Sequence, residues 1–405
     1  MEKVAFLYAT FPRSTETFVR RELRALWNRG LEAQPYSLWG GDKKWNGIQI
    51  ELFNKYKLVS LFFWIPYWAF LRPRSFSRTL QYLWGKKCPN TQNFNETFLG
   101  LGFALVEARA FERKGYDLIH AVWATMPATA ALAIHRLTGI PFSMGAHAYD
   151  LFRKGGDWLL EEKIRSACFV RTSSLSSANR LKQLGVETQR IKVIRRGLEN
   201  FSNRDLSVSY KKSEHLKMVA VGRLVPKKGY FHMLQIMFEL SKRKIPFTLQ
   251  IIGGGKLRKR ISTEIKRFGL EKNVTLQGAR KEKEVRDLLK TQDIMLFTGI
   301  IDSQGDRDGI PNVIPEAMDA GCLVLSSVNA GASEAFTDGV SGFSLDPEIP
   351  GEWVQKVVEF YQNPDSFEDV RRNAVKHVRE NFDIKKTASL LHRTIQKAVK
   401  EVSTL

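Results

Sequence analysis

Cysteine is scarce in this chain of 405 residues: Cys88, Cys168 and Cys322 are widely spaced, odd in number and include no Cys-x-x-Cys pair. That argues against a disulfide framework or a cysteine-based zinc site and fits a reducing, cytoplasmic setting. Long apolar runs are missing too. The most apolar stretch, Leu58 to Leu71, is shorter than the roughly 20 residues needed to span a bilayer. The opening "MEKVAFLYATFPRS" is too brief and too lightly flanked for a signal peptide. Acidic residues are outnumbered, 42 Asp and Glu against 63 Lys and Arg, for a formal net charge of +21. Such a field draws polyanions: nucleic acid, an anionic membrane surface or phosphorylated substrates. The sequence has no zinc-finger spacing, RNP-like motif or basic-region heptad, so nucleic acid is not an expected partner.

A hydrophobic content of 43% and a charged content of 26% are those of a globular protein, and the length calls for two domains. Six short apolar runs punctuate the first half: 4–10, 33–39, 117–123, 140–147, 168–174 and 191–197. Six more follow at 216–222, 247–255, 274–278, 293–299, 322–327 and 342–346, after a polar stretch, 199–215, that reads as a linker. Strand-length runs separated by helix-length segments predict parallel sheets with helices on both faces. The expected class is α/β, two Rossmann-like doubly wound domains, at 1–205 and 206–384. A final helix from about Lys385 places Ala388, Leu391, Ile395 and Ala398 on one stripe and is expected to pack back on the first domain.

The segment "KLVSLFFWIPYWAFLRPR", residues 57–74, has two readings. Trp64, Tyr67 and Trp68 followed by Arg72 and Arg74 suit a headgroup interface. The same residues also suit a helix buried under the core.

In open parallel sheets, ligands bind beyond the carboxyl ends of the strands. After the run 216–222 comes "RLVPKKGY", where Arg223 and Lys228 flank a strand-to-helix turn and suit a diphosphate. After 247–252 comes Gly253–Gly255, a tight turn that lets backbone approach a ligand, though not a Gly-x-Gly-x-x-Gly fingerprint. After 293–299 comes "IDSQGDRDGIPNVIPEAMDAG". Its amides from Gly309 to Val313 would open a helix, and Glu316 would sit one turn inside. On their own, Asp308 and Glu316 read equally well as a helix-start acid and a surface glutamate.

Taken together, Arg223, Lys228, the glycine turn and Asp-x7-Glu ahead of "AMDAG" resemble the donor half of glycosyltransferase family 4. "FPRSTETFV" (11–19), "TGIPFSMGAHAYDLF" (138–152) and "IRRGLE" (194–199) resemble the first half of bacterial exopolysaccharide, colanic acid and O-antigen members. The resemblance implies a GT-B-type fold, two Rossmann-like domains facing a cleft, and retaining transfer from a nucleotide-sugar. It implies that Arg223 and Lys228 neutralise the donor diphosphate, Glu316 holds the ribose and Asp308 holds the transferred sugar. Gly254, Gly309, Ile310, Pro311, Asn312 and Val313 would face the donor, and Gly278, Arg280 and Lys281 would line its base pocket. His147 would stand near the reacting carbon. No cofactor and no metal are expected, since Arg and Lys supply the charge and no plausible donor loop is read as carrying an Asp-x-Asp. The implied partners are a nucleotide-sugar, a saccharide acceptor on a polyprenyl diphosphate and the anionic inner face of the cell membrane, at which the protein would be peripheral.

Three departures accompany the resemblance. Asp308 stands where the family has Glu, "HAH" reads "HAV" with Val122, and the loop after the first run has no glycine pair. His120 and His135 read as structural. A nucleotide-sugar hydrolase or epimerase of the same fold and a non-catalytic nucleotide-sugar or nucleic-acid binding protein are the alternatives.

Overall fold

The computed structural model describes residues 2–13, 16–81, 83, 87–202, 214–329 and 331–403. The chain divides into two compact units, Met1–Gly197 together with Ile384–Leu405, and Leu198–Asp383. Every run expected to be a strand forms one. In the first unit these are β1 (Lys3–Tyr8), β2 (Glu32–Ser37), β6 (Leu118–Ala121), β7 (Phe142–Gly145), β8 (Val170–Thr172) and β9 (Ile191–Val193). The structure adds three two-residue strands between them: β3 (Lys44–Trp45), β4 (Ile48–Gln49) and β5 (Glu51–Leu52). These are too short for a period of two to show in the sequence. β3 and β4 form a separate antiparallel pair, and the others make one parallel sheet in the order β5-β2-β1-β6-β7-β8-β9.

The second unit holds β10 (Leu216–Val221), β11 (Phe247–Ile252), β12 (Val274–Gly278), β13 (Ile294–Phe297), β14 (Leu323–Ser327) and β15 (Phe343–Leu345). They too are parallel, in the order β12-β11-β10-β13-β14-β15. Both sheets are covered on both faces, which is why their strands read as continuous apolar runs. Val4, Phe6 and Tyr8 of β1 lie in one cluster, Ala5 and Leu7 in the other. Ala388, Leu391, Ile395 and Ala398 of the helix Ile384–Ser403 join the cluster of Val4 and Phe6, so the apolar stripe is buried within the first unit.

Two details differ from the sequence reading. The second unit begins at Leu198, short of the expected boundary at 205/206. Leu198 N–H donates to Phe382 O at 2.6 Å and Ser202 N–H to an Asp319 carboxylate oxygen at 2.6 Å, which ties 198–202 into that unit. Most of the expected linker, 203–213, lies outside the described residues.

The segment 57–74 is neither wholly buried nor wholly interfacial. Its helix, Leu61–Leu71, buries Trp68 completely, with the indole N–H donating to Leu105 O at 2.8 Å. Trp64 and Tyr67 also pack on the core, while Phe62 and Phe70 are 92% and 90% exposed. The aromatics singled out for an interface therefore point inward, and phenylalanines point outward. Arg72 is committed to Leu137 O and, at 2.8 Å, to Glu112. Among the described residues no helix is long and apolar enough to cross a membrane.

Candidate functional site

In the second sheet the strand order reverses between β10 and β13, so the loops leaving these two strands flank the switch point where open α/β sheets bind ligands. The loop after β10 closes at Gly229, whose φ of +65° suits glycine. A Cβ there would lie 1.7 Å from Thr298 O, so only glycine lets this loop lie against the start of the loop after β13. Thr298 Oγ1 donates to Gly229 O at 2.9 Å and Ile300 N–H to Lys227 O at 2.9 Å, fastening the two loops.

This seam brings Lys228 Nζ to 2.8 Å from Asp308 Oδ2, a pairing the sequence reading did not anticipate. It also brings in a residue that reading passed over. Lys227 is buried, with Nζ 3.0 Å from Asp306 and 3.4 Å from Asp308, and it donates to Arg307 O at 3.2 Å. Asp306-Arg307-Asp308 is an Asp-x-Asp in the loop after β13, against the sequence reading that no plausible donor loop carries one, and both carboxylates are turned to the Lys227 ammonium. Burial pulls the Lys228 pKa below its ordinary value against the pull of Asp308. Burial would raise the Asp308 carboxyl, but Lys228 and Lys227 outweigh it and hold the group below the usual carboxylate range. The Lys228 ammonium lies 4.9 Å from the centre of the Phe297 ring.

The remaining residues expected at the site fall around this seam with different roles. Arg223 is exposed at the end of β10. The Gly253–Gly255 turn approaches protein rather than open space at its ends: a Cβ on Gly253 would lie 1.9 Å from Gly222 O and one on Gly255 2.5 Å from Leu224 O. Gly254 alone faces open space, and its carbonyl accepts from Leu224 N–H at 2.9 Å. Gly278 O accepts from Gly253 N–H at 2.8 Å, which places the end of β12 beside that turn. Arg280 and Lys281 are exposed, with Arg280 donating to Gln277 Oε1 at 3.0 Å. The helix after the seam, Val313–Asp319, carries Glu316 half-buried in its first turn. Pro311 has no N–H, so the amides open to an anion here are those of Gly309, Ile310, Asn312 and Val313. Among the described residues none of the four donates a hydrogen bond within the protein.

The first unit holds His147 in a second charged cluster. Glu22, on the helix Thr17–Trp27, accepts both Arg171 nitrogens at 2.5 Å and Arg196 at 3.2 Å. Arg196 donates onward to His147 Nε2 at 2.8 Å, with its guanidinium 4.8 Å from the Phe18 ring centre and 5.6 Å from that of Trp123. Asp150 fixes the His147 loop by accepting from the N–H groups of His147 (3.0 Å), Ala148 (2.8 Å) and Ala124 (3.3 Å). Burial opposes ionisation of Glu22, yet the two guanidiniums bring its pKa down to about 2. Burial and then Arg196 and Arg171 push His147 well below the ordinary histidine value, so it is neutral. His120 bonds Ser143 Oγ at 2.9 Å and His135 bonds Ile140 O at 2.9 Å, both as internal ties. Val122 is buried and donates its N–H to Leu7 O at 3.0 Å.

Comparison with known proteins shows the family. Residues 15–199 match the model described as Glycosyltransferase Family 4, and residues 203–377 match Glycosyl transferases group 1. The chain is 25% identical over 401 residues to the putative colanic acid biosynthesis glycosyltransferase WcaL of Salmonella typhimurium, covering 94% of this chain and 96% of the relative. It is 32% identical over 213 residues to the amylovoran biosynthesis glycosyltransferase AmsK of Erwinia amylovora, about half of each chain (50% and 50%). Among solved structures, Anabaena HepE in complex with UDP and glucose superposes with a TM-score of 0.70 at 17% identity, covering 98% of this chain and 100% of that one.

Proposed function

The chain belongs to the glycosyltransferases, with a family 4 first half and a group 1 second half, and from this premise we infer that it builds a surface polysaccharide by retaining, metal-independent transfer from a nucleotide-sugar. The observation that carries this reading is the seam at the switch point of the second sheet, where Lys228, Asp308 and Lys227 meet beside four unbonded amides. A departing nucleoside diphosphate develops negative charge, and preorganised cations stabilise it most where water is excluded. Lys228 and Arg223 supply that charge. The diphosphate displaces Asp308 from Lys228, while Lys227 retains Asp308 and aims it at hydroxyls of the transferred sugar. Glu316 accepts from the ribose hydroxyls, and the amides from Gly309 to Val313 face the donor. Gly254, Gly278, Arg280 and Lys281 border the base.

A polysaccharide product is supported by the relatives named for colanic acid and amylovoran biosynthesis, and the saccharide acceptor on a polyprenyl diphosphate is the one that the resemblance of the first half implies. The protein works at the cytoplasmic face of the membrane as a peripheral protein. The exposed Phe62, Phe63, Ile65, Phe70 and Leu71 rest among the headgroups, and the net charge of +21 draws the molecule to anionic lipid.

The test is transfer from a panel of radiolabelled nucleotide-sugars to polyprenyl-diphosphate saccharides, in chelator, with the anomeric configuration of the product read by NMR. Labelled lipid-linked product of unchanged anomeric configuration supports the reading. Free sugar alone indicates a hydrolase and interconversion of donors an epimerase. Activity that collapses in chelator and returns with magnesium or manganese overturns metal independence and gives Asp306 and Asp308 a cation to hold.

A further inference from the structure

Arg196 and His147 meet in a way that decides where the imidazole proton sits. A guanidinium has N–H donors only and no lone pair to offer. Arg196 points one of these donors at His147 Nε2 across 2.8 Å, so Nε2 must present its lone pair. The neutral ring then carries its proton on Nδ1. That nitrogen is buried and, among the described residues, has no hydrogen-bond partner. A buried N–H without a partner is a costly feature, and such groups in native proteins call for a ligand or other explanation.

Arg196 is itself prevented from turning away. Glu22 Oε1 accepts its Nη1 at 3.2 Å, and the guanidinium plane lies against Phe18 and Trp123. The imidazole is fixed by the same walls: Trp123 meets it edge-on at 5.4 Å, and the Asp150 carboxylate holds its backbone N–H. A Cβ added at Gly145 would come within 2.8 Å of Nε2, so glycine at the end of β7 leaves room for the ring in this orientation.

We propose that Arg196 is a positioning residue that locks His147 in the Nδ1–H tautomer, so that the loop after β7 carries a neutral hydrogen-bond donor rather than a general base or a cation. Such a donor suits a hydroxyl or ring oxygen of a sugar; the sugar as recipient rests on the function proposed above, the tautomer does not. The charged groups facing the ring agree with this. Arg196 and Arg171 on β8 both oppose a charge on the ring, while the Glu22 carboxylate is already shared by these two guanidiniums.

The experiment is histidine 15N NMR on the full chain without nucleotide-sugar, with His147 assigned by the loss of its signals in His147→Gln. Long-range 1H–15N correlations distinguish the two neutral tautomers and the imidazolium. The expected wild-type pattern is a protonated Nδ1 and an unprotonated Nε2 from about pH 5 to 8. Arg196→Met keeps an apolar stem against Phe18 and Trp123 but removes the donor, and should populate the Nε2–H form. Arg196→Lys, which keeps a donor, should restore Nδ1–H. A wild-type ring protonated on Nε2 overturns the proposal. So does Arg196→Met that melts at a lower temperature yet keeps the wild-type tautomer, the outcome for a merely structural arginine. If Arg196→Met does not fold, the wild-type spectrum still decides. Failure of sugar transfer with the expected tautomer intact would count against the proposed function and leave this assignment standing.

Discussion

Each unit holds a carboxylate between two cations, and the two arrangements are built for different purposes. In the first, Glu22 meets Arg171 at 2.5 Å and Arg196 at 3.2 Å, with side-chain exposures of 8%, 1% and 7%. In the second, Asp308 meets Lys228 at 2.8 Å and Lys227 at 3.4 Å, and the Asp308 and Lys228 side chains keep 18% and 13% of their surface. Guanidiniums bind a carboxylate through a planar, bidentate fork and do not lose their charge; ammonium groups are point charges on flexible stems and exchange partners readily. The first cluster is therefore a fixed scaffold under His147, and the second, under the proposed function, a set of counterions for an incoming diphosphate to rearrange.

Removing the carboxylate tests the contrast most severely. Glu22→Ala leaves two guanidiniums buried without a counterion and should cost about 3–5 kcal/mol in urea unfolding. Asp308→Ala, at a partly exposed pair, should cost about 1 kcal/mol or less and act on turnover instead. Acid sharpens the same contrast. The Glu22 carboxyl is depressed to about 2, so its contribution is whole above the unfolded value of roughly 4.3 and is lost as pH falls from there through the folded value. Glu22→Gln should flatten stability across that window. Equal losses for Glu22→Ala and Asp308→Ala would break the distinction between scaffold and exchangeable site.

The next effect belongs to the cations of the second cluster. Lys228→Ala should lower turnover about 10²–10³-fold, the range seen when one preorganised stabilising donor is removed, with the melting temperature close to wild type. A fully active Lys228→Ala would move the diphosphate elsewhere. Smaller still is Glu316→Gln. Loss of a charge-assisted hydrogen bond worth roughly 1.5–3 kcal/mol should weaken nucleoside diphosphate binding about ten- to a hundred-fold by calorimetry. Unchanged affinity in the folded variant would take Glu316 out of the nucleotide site.

The smallest expected effect extends the comparison to the helix Leu61–Leu71, whose two faces differ as the clusters do. Phe62→Ser with Phe70→Ser should reduce flotation with anionic vesicles by about 1 kcal/mol per ring, half or less of full burial, and leave the melting temperature alone. The remaining binding should fall as salt rises, because screening acts within a Debye length of about 10 Å. Trp68→Ser should do the reverse, lowering the melting temperature while folded protein still binds vesicles. Vesicle binding indifferent to Phe62 and Phe70 would remove the membrane from this face.

By itself the sequence determined twelve of the thirteen strands described in the two sheets, all but the two-residue β5, because a strand buried on both faces must be apolar throughout and a crossover helix must separate it from the next. It likewise determined the stripe of the helix Ile384–Ser403 and placed Arg223, Lys228, Asp308 and Glu316 at the carboxyl ends of strands, since a strand-to-helix loop is legible from its flanks. Tertiary structure alone decided which of the adjacent Lys227 and Lys228 is buried between Asp306 and Asp308, because that depends on a loop some eighty residues away reaching the same seam. It alone assembled Glu22 with Arg171 and Arg196, partners separated by 149 and 174 residues and carried by different elements. And it alone turned Trp68 inward and Phe62 outward, because a helix apolar on all sides has no periodicity to announce its buried face. Local pattern records which segments must leave water. The pairing of buried charges depends on where distant segments come to rest, and the chain's local pattern carries no trace of that.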